Sequence, residues 1–104
     1  MRSETMEYTF DNKCLTLFLE GELNSYNAED IEKEIDGILE KNDVSKVVLD
    51  LAKLDYLSSA GIRIIIRLKQ RYADTSLVRV QDSVYEIFEM VGLPELLKIE
   101  RLDS

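Results

Sequence analysis

The chain has 104 residues, 45% of them hydrophobic, which suffices for one packed core but not two, so a single domain over residues 1–104 is expected. Against 13 Lys and Arg stand 21 acidic residues, and the resulting net charge of −8 opposes unspecific binding to phosphate backbones or anionic lipid, so nucleic acid is not expected as a partner. The sequence contains no histidine, which removes Ser-His-Asp triads, Cys-His pairs and His-bearing zinc sites, and most hydrolytic mechanisms with them.

The lone Cys14 has no partner for an internal disulfide, and a domain without such staples fits a reducing compartment, the cytoplasm. Neither the opening residues MRSETMEYTF nor any later stretch carries the apolar run of a signal peptide or a bilayer span, so no direct membrane insertion is expected.

Tyr8 and Phe10 alternate with polar residues, Asp11-Asn12-Lys13 supplies a turn, and Cys14 to Glu20 resumes the alternation with Leu15, Leu17 and Leu19 on one face. This pattern predicts a β-hairpin that Gly21 ends. Asn24, Ser25 and Asn27 offer caps to a following helix whose apolar positions Ile31, Ile35, Ile38 and Leu39 fall at helical spacing. Lys46 to Leu51 reads as a short buried strand, and a strand after a helix implies a parallel crossover.

Ala52 to Leu57 then links that strand to Ser58-Ser59-Ala60-Gly61. Beyond it Ile62, Ile65, Ile66 and Lys69 form one helical stripe, with Arg63, Arg67, Gln70 and Arg71 largely elsewhere. Ser76 to Val80 is the next strand. Ser83 and Glu86 have the spacing of a capping box, starting a helix with the stripe Val84, Ile87, Phe88 and Val91 that stops at Gly92-Leu93-Pro94. A turn at Glu95 to Leu97 and a short strand at Lys98 to Arg101 complete the order ββαβαβαβ. That order describes a small α/β domain with a mixed sheet: an antiparallel hairpin first, parallel crossovers afterwards, and three to four helices packed on it.

The chemistry concentrates where a buried strand meets two adjacent hydroxyls and a helix begins. Free amides and the positive end of the helix dipole gather there, stabilising an added anion by about 0.3 to 1 kcal/mol at an exposed site. A phosphate on Ser58 or Ser59 would add roughly −1.5 to −2 charges at that terminus. Residues of this kind are, by themselves, most often plain helix caps.

Four elements of the sequence together resemble the STAS domains typified by bacterial anti-sigma factor antagonists. Leu19-Glu20-Gly21-Glu22-Leu23-Asn24 is similar to the family's G-x-L-(D/N) element, and Val47-Val48-Leu49-Asp50-Leu51 to its core strand. Tyr56-Leu57-Ser58-Ser59-Ala60-Gly61-Ile62-Arg63 resembles its signature loop and helix start, and Val91-Gly92-Leu93 its penultimate helix end. The resemblance implies a single STAS-like domain that regulates without catalysis and without a cofactor. By the same resemblance it is expected to bind an anti-sigma factor that is also a serine kinase and so release a sigma factor, to be switched off by phosphorylation at the start of the helix, and to be reset by a serine phosphatase.

The family pattern is D-S-(S/T)-G, whereas here Ser58 stands at the Asp position and Ala60 precedes the glycine, a departure that leaves Ser59 and then Ser58 as acceptor candidates. Asn24, Ser25, Tyr56, Ser58, Ser59, Ala60, Gly61, Arg63 and Arg67 are the expected partner-binding residues. Other readings of the same resemblance are a STAS subunit of a membrane lipid-transport ABC complex, some of which carry an (S/T)-A-G loop like Ser59-Ala60-Gly61, and a non-phosphorylated STAS scaffold.

Between Ile62 and Val80 five basic side chains (Arg63, Arg67, Lys69, Arg71 and Arg79) stand against Asp74 alone. They are either a strip that meets an acidic partner or a phosphate, or a solvated face offset by acidic neighbours in the fold. Asp50, Asp55 and Glu22 lack the spacing of a metal site, no Gly-rich phosphate loop is present, and Cys14 in its apolar strand is expected in the core.

Overall fold

The computed structural model describes residues 6–102. β1 (Glu7–Asp11) and β2 (Cys14–Leu23) form the hairpin, followed by α1 (Ala28–Lys41), β3 (Lys46–Leu57), α2 (Ser59–Arg71), β4 (Thr75–Val80), α3 (Asp82–Met90), a single 3₁₀ turn at Leu93–Glu95, and β5 (Lys98–Arg101). Asn12 and Lys13 both have positive φ, the two-residue turn geometry whose twist matches a tight hairpin.

The five strands lie in chain order, β1 antiparallel to β2 and every later pair parallel, so the mixed sheet and its parallel crossovers are as the sequence pattern predicts. Right-handed crossovers that all step the same way place their helices on one face of a sheet. The burial agrees: Leu15, Leu17 and Leu19, Val47, Leu49 and Leu51, and Leu77 are buried, while Cys14, Thr16, Phe18, Val48, Ser76 and Val78 between them are only half-buried or lie on the opposite, open face. Cys14 is thus half-buried on the open face rather than in the core.

Five local expectations are corrected. Gly21 does not end β2: it sits at φ +76 inside the strand, which continues to Leu23. β3 runs on through the presumed link to Leu57, because β2 continues beside it and supplies partners as far as Leu23↔Leu57. The capping box at Ser83 does not form. α3 begins at Asp82 with Gln81 at the N-cap, since the Gln81 side-chain amide is anchored on Ala52 O and Asp55 Oδ1 and fixes where the chain turns. The tight turn falls at Leu93–Glu95, ahead of the expected position, and Val91, beyond the helix end, is exposed rather than part of the stripe.

In α2 the buried stripe is Gly61, Ile62, Ile64, Ile65 and Leu68, while Lys69 stays half-buried and donates to Ala73 O. Two ion pairs hold α2 against α1: Arg67 grips Glu32 with Nε (2.8 Å) and Nη2 (2.6 Å), and Arg71 reaches Asp36 at 2.7 Å. Glu32 and Asp36 are four apart on α1 and Arg67 and Arg71 four apart on α2, so the two pairs form rungs one turn apart.

Candidate functional site

β2 and β3 are parallel and end side by side, and α1 and α2 start from those ends. Carboxyl ends of parallel strands are where α/β sheets present ligand and partner surfaces. Ser58 N–H donates to Leu23 O at 2.9 Å, tying the loop after β3 to the last residue of β2. Gly61 makes the fit closer still: a Cβ there would lie 2.8 Å from Leu23 Cγ and 3.2 Å from its carbonyl oxygen.

The turn after β2 is held by two asparagines. Asn24 Oδ1 accepts from the amides of Tyr26 (2.9 Å) and Asn27 (3.1 Å), while Asn27 Oδ1 accepts from Asn24 N–H and its Nδ2 donates to Glu22 O. Asn24 therefore shapes the turn, and Ser25 and Tyr26 are what it presents. Tyr26 is 93% exposed, the most exposed of the large apolar side chains among the described residues, and it is not among the partner-binding residues expected from the sequence. The available signal was an aromatic ring inside the polar run Asn24-Ser25-Tyr26-Asn27, with no apolar neighbour in sequence to pack against.

Across from that turn, Tyr56 is 45% exposed, its residue paired with Glu22 in the sheet register. The two serines part company. Ser58 is the N-cap residue of α2 but makes no capping bond, and its Oγ is sealed from solvent without a hydrogen-bond partner among the described residues. Ser59, the first residue of the helix, is exposed. The first turn of α2 carries no acidic residue, so its free amides and dipole face no negative charge of their own.

Arg63, one turn beyond Ser59, is exposed and makes no ion pair among the described residues. Arg67, by contrast, is committed to Glu32. The guanidinium hydrogen-bonded to Glu32 holds that carboxyl below its ordinary value, against the opposing effect of burial. Of the basic strip, Arg71 and Arg79 are likewise paired, with Asp36 and with the buried Asp50. Ala60 is half-buried under the loop and Gly61 fully buried.

The carboxylates weighed as a metal set are dispersed: Asp50 accepts from Arg79 Nε and Ala52 N–H, Asp55 from Gln81, and Glu22 from Asn24 Nδ2 at 3.5 Å. Beside the turn lies an open groove of about 610 Å³, floored by Leu19, Leu23, Ile31 and Leu54 and rimmed by Glu20, Glu22 and Glu34. No helix among the described residues is long and apolar enough to cross a membrane.

The chain is similar in sequence and in fold to known proteins. A protein of Bordetella bronchiseptica that bears the name anti-sigma factor antagonist BtrV is 35% identical over 100 residues, covering 90% of this chain and 85% of its own. The anti-sigma-B factor antagonist of Listeria monocytogenes is 23% identical over 98 residues, with the same coverage. Among solved structures, one from Thermotoga maritima described as an anti-sigma factor antagonist superposes with a TM-score of 0.82 at 22% identity, covering 95% of this chain and 86% of that one. The anti-sigma factor antagonist SpoIIAA in its unphosphorylated form gives 0.74 at 17% identity, covering 91% and 87%. The model of the STAS domain matches residues 5–102, and with that span and the 35% relative the chain belongs to the STAS domain family.

Proposed function

We propose that the chain is an anti-sigma factor antagonist: it binds an anti-sigma factor that is also a serine kinase, frees a sigma factor, and is switched off when that kinase phosphorylates Ser59, with a serine phosphatase restoring it. It works by binding, in the cytoplasm, and catalyses nothing itself. The observation that carries this reading is the contrast between the serines, Ser59 Oγ open at the first position of α2 and Ser58 Oγ sealed. Support also comes from relatives that bear the antagonist name and from SpoIIAA, which is known in a phosphorylated as well as an unphosphorylated form.

The physics favours a switch at this point. With no acidic residue in the first turn of α2, a phosphate on Ser59 meets the helix's amides and dipole with no like charge from that turn, so the free protein accepts it. In a complex the same group, with roughly −1.5 to −2 charges, must be desolvated against the partner. The cost falls on the complex alone, which is what release requires. Ser25, Tyr26, Tyr56, Ser59 and Arg63 form the contact surface, with Asn24, Ala60 and Gly61 shaping it.

The test is to incubate the chain and ATP with purified anti-sigma factors of the serine-kinase type from the same organism. Complex formation before ATP, followed by a gain of about 80 Da on the peptide containing Ser59 and loss of the complex, is the expected result. Absence of both binding and modification would refute it, and modification surviving in Ser59→Ala would move the switch to Ser58.

A further inference from the structure

We propose that the corner where α3 ends is a second docking surface, for a protein segment that presents apolar side chains flanked by lysine or arginine. Of seven exposed large hydrophobic side chains among the described residues, three fall within seven residues around Gly92: Met90 (80% exposed), Val91 (52%) and Leu96 (55%). Their closeness along one tight turn sets them apart from the singly scattered surface hydrophobics that any domain carries.

The corner is rigid. Phe88, Leu93 and Leu97 on either side of it are buried in the core, and backbone bonds from Gly92 N–H to Glu89 O, Glu95 N–H to Gly92 O and Leu96 N–H to Leu93 O close the turn. The exposed side chains are therefore presented on a fixed frame, and little ordering remains to be done on binding.

Charge selects the occupant. From Asp82 to Leu97 the chain carries Asp82, Glu86, Glu89 and Glu95 and no lysine or arginine. Glu86, Glu89 and Glu95 are exposed and make no ion pair among the described residues. Lys98 pairs in register with Ser76 on the open face of the sheet, and Arg101 is taken up at the start of α3, bonded to Asp82 at 2.9 Å and stacked on the Tyr85 ring at 4.3 Å, which leaves Glu86, Glu89 and Glu95 without a direct ion pair among the described residues. A second copy of this chain would bring the same acidic rim against itself, and an anionic membrane would be repelled, whereas a basic-flanked apolar segment satisfies both features.

The surface is distinct from the serine loop. The N-cap of α3, Gln81, is bonded to Ala52 and Asp55 near the loop, and the nine helical residues from Asp82 to Met90 carry the chain about 13 Å along the helix axis from there. Both surfaces are free to be occupied together.

The test is an NMR titration of the isotope-labelled full chain in about 0.15 M NaCl. The probe is a synthetic helical peptide of about 16 residues with a leucine stripe flanked by lysines, and the control is the same peptide with glutamate for lysine. Saturable shifts confined to Glu86–Leu97 are expected with the lysine peptide only, with affinity at least about tenfold lower for a Met90→Asp, Leu96→Asp double variant. Unchanged spectra elsewhere in that variant would show that it folds. Shifts spread over the acidic surface, binding by the glutamate peptide, equal affinity of the variant, absence of binding, or shifts at the corner that depend on chain concentration without peptide would each overturn the proposal.

Discussion

Gly61 in the first turn of α2 packs directly on Leu23, the last residue of β2, leaving no room for a side chain between helix and strand. Leu23 is 1% exposed and cannot move aside without disturbing the core, and its carbonyl oxygen already accepts the Ser58 amide. Gly61→Ala is expected to cost about 1 to 3 kcal/mol, the usual range for forcing a methyl into a filled site, read from chemical denaturation. An unchanged midpoint would mean that the contact is loose.

The sealed Ser58 hydroxyl gives a prediction of opposite sign. A serine at a helix N-cap normally loses about 0.5 to 2 kcal/mol on replacement by alanine, through the missing capping bond. Here no such bond is made, and a buried hydroxyl without a partner is itself unfavourable by about 1 to 3 kcal/mol. Ser58→Ala is therefore expected to match or exceed the parent in stability, and a clear loss in the denaturation midpoint would show that the hydroxyl bonds in solution.

Arg79 offers a way to separate backbone strain from ion pairing. It sits at φ +53 in β4, where the register with β5 shifts between Leu77 and Val80, and its Nε donates to Asp50 at 2.9 Å. Arg79→Gly and Arg79→Ala both remove the pair, but only glycine adopts that φ without penalty. Both variants are expected to be less stable than the parent, with the glycine form about 1 kcal/mol above the alanine form. Equal midpoints for the two would show that the backbone relaxes.

The Arg67–Glu32 rung makes a modest pH-dependent contribution. Glu32 titrates below its ordinary 4.5 in the folded chain, so the stabilisation is present above that value and disappears as pH falls through the lower, folded one. Because Arg67 is about half exposed, solvent screens the pair and only a small loss of stability is expected for Glu32→Gln at neutral pH. Stability curves of the parent and the variant should converge below pH 4.5, and a gap that persists in acid would assign the effect to packing.

Much of the fold could be read from alternation and spacing, and the places where reading failed have physical causes. β3 escaped beyond Leu51 because its buried leucines pass from a spacing of two (Leu49, Leu51) to three (Leu54, Leu57). The register explains this: between Phe18 and Glu20 of β2, and again between Gly21 and Glu22, β3 fits in one extra residue. The Ser83 capping box failed because a tertiary bond from Gln81 decides the helix start. The basic strip was visible as composition, but its partners Glu32 and Asp36 lie 35 residues earlier, and only the packing of α1 on α2 brings them in. At the site, the serine loop was legible, whereas the difference between Ser58 and Ser59 was not, since both are polar residues at a helix start and burial alone separates them.

β3 pairs with β4 only from Val47 to Asp50, yet with β2 along nearly its whole length. From Leu51 onward the sheet narrows to a two-stranded ribbon that carries both loops at its tip, braced on its vacant side by the Gln81 amide on Ala52 O. The rigid body and the presenting end are thereby built as separate parts: the tip can change its sequence, its charge or its modification state while the four-residue pairing behind it keeps the rest of the sheet in register.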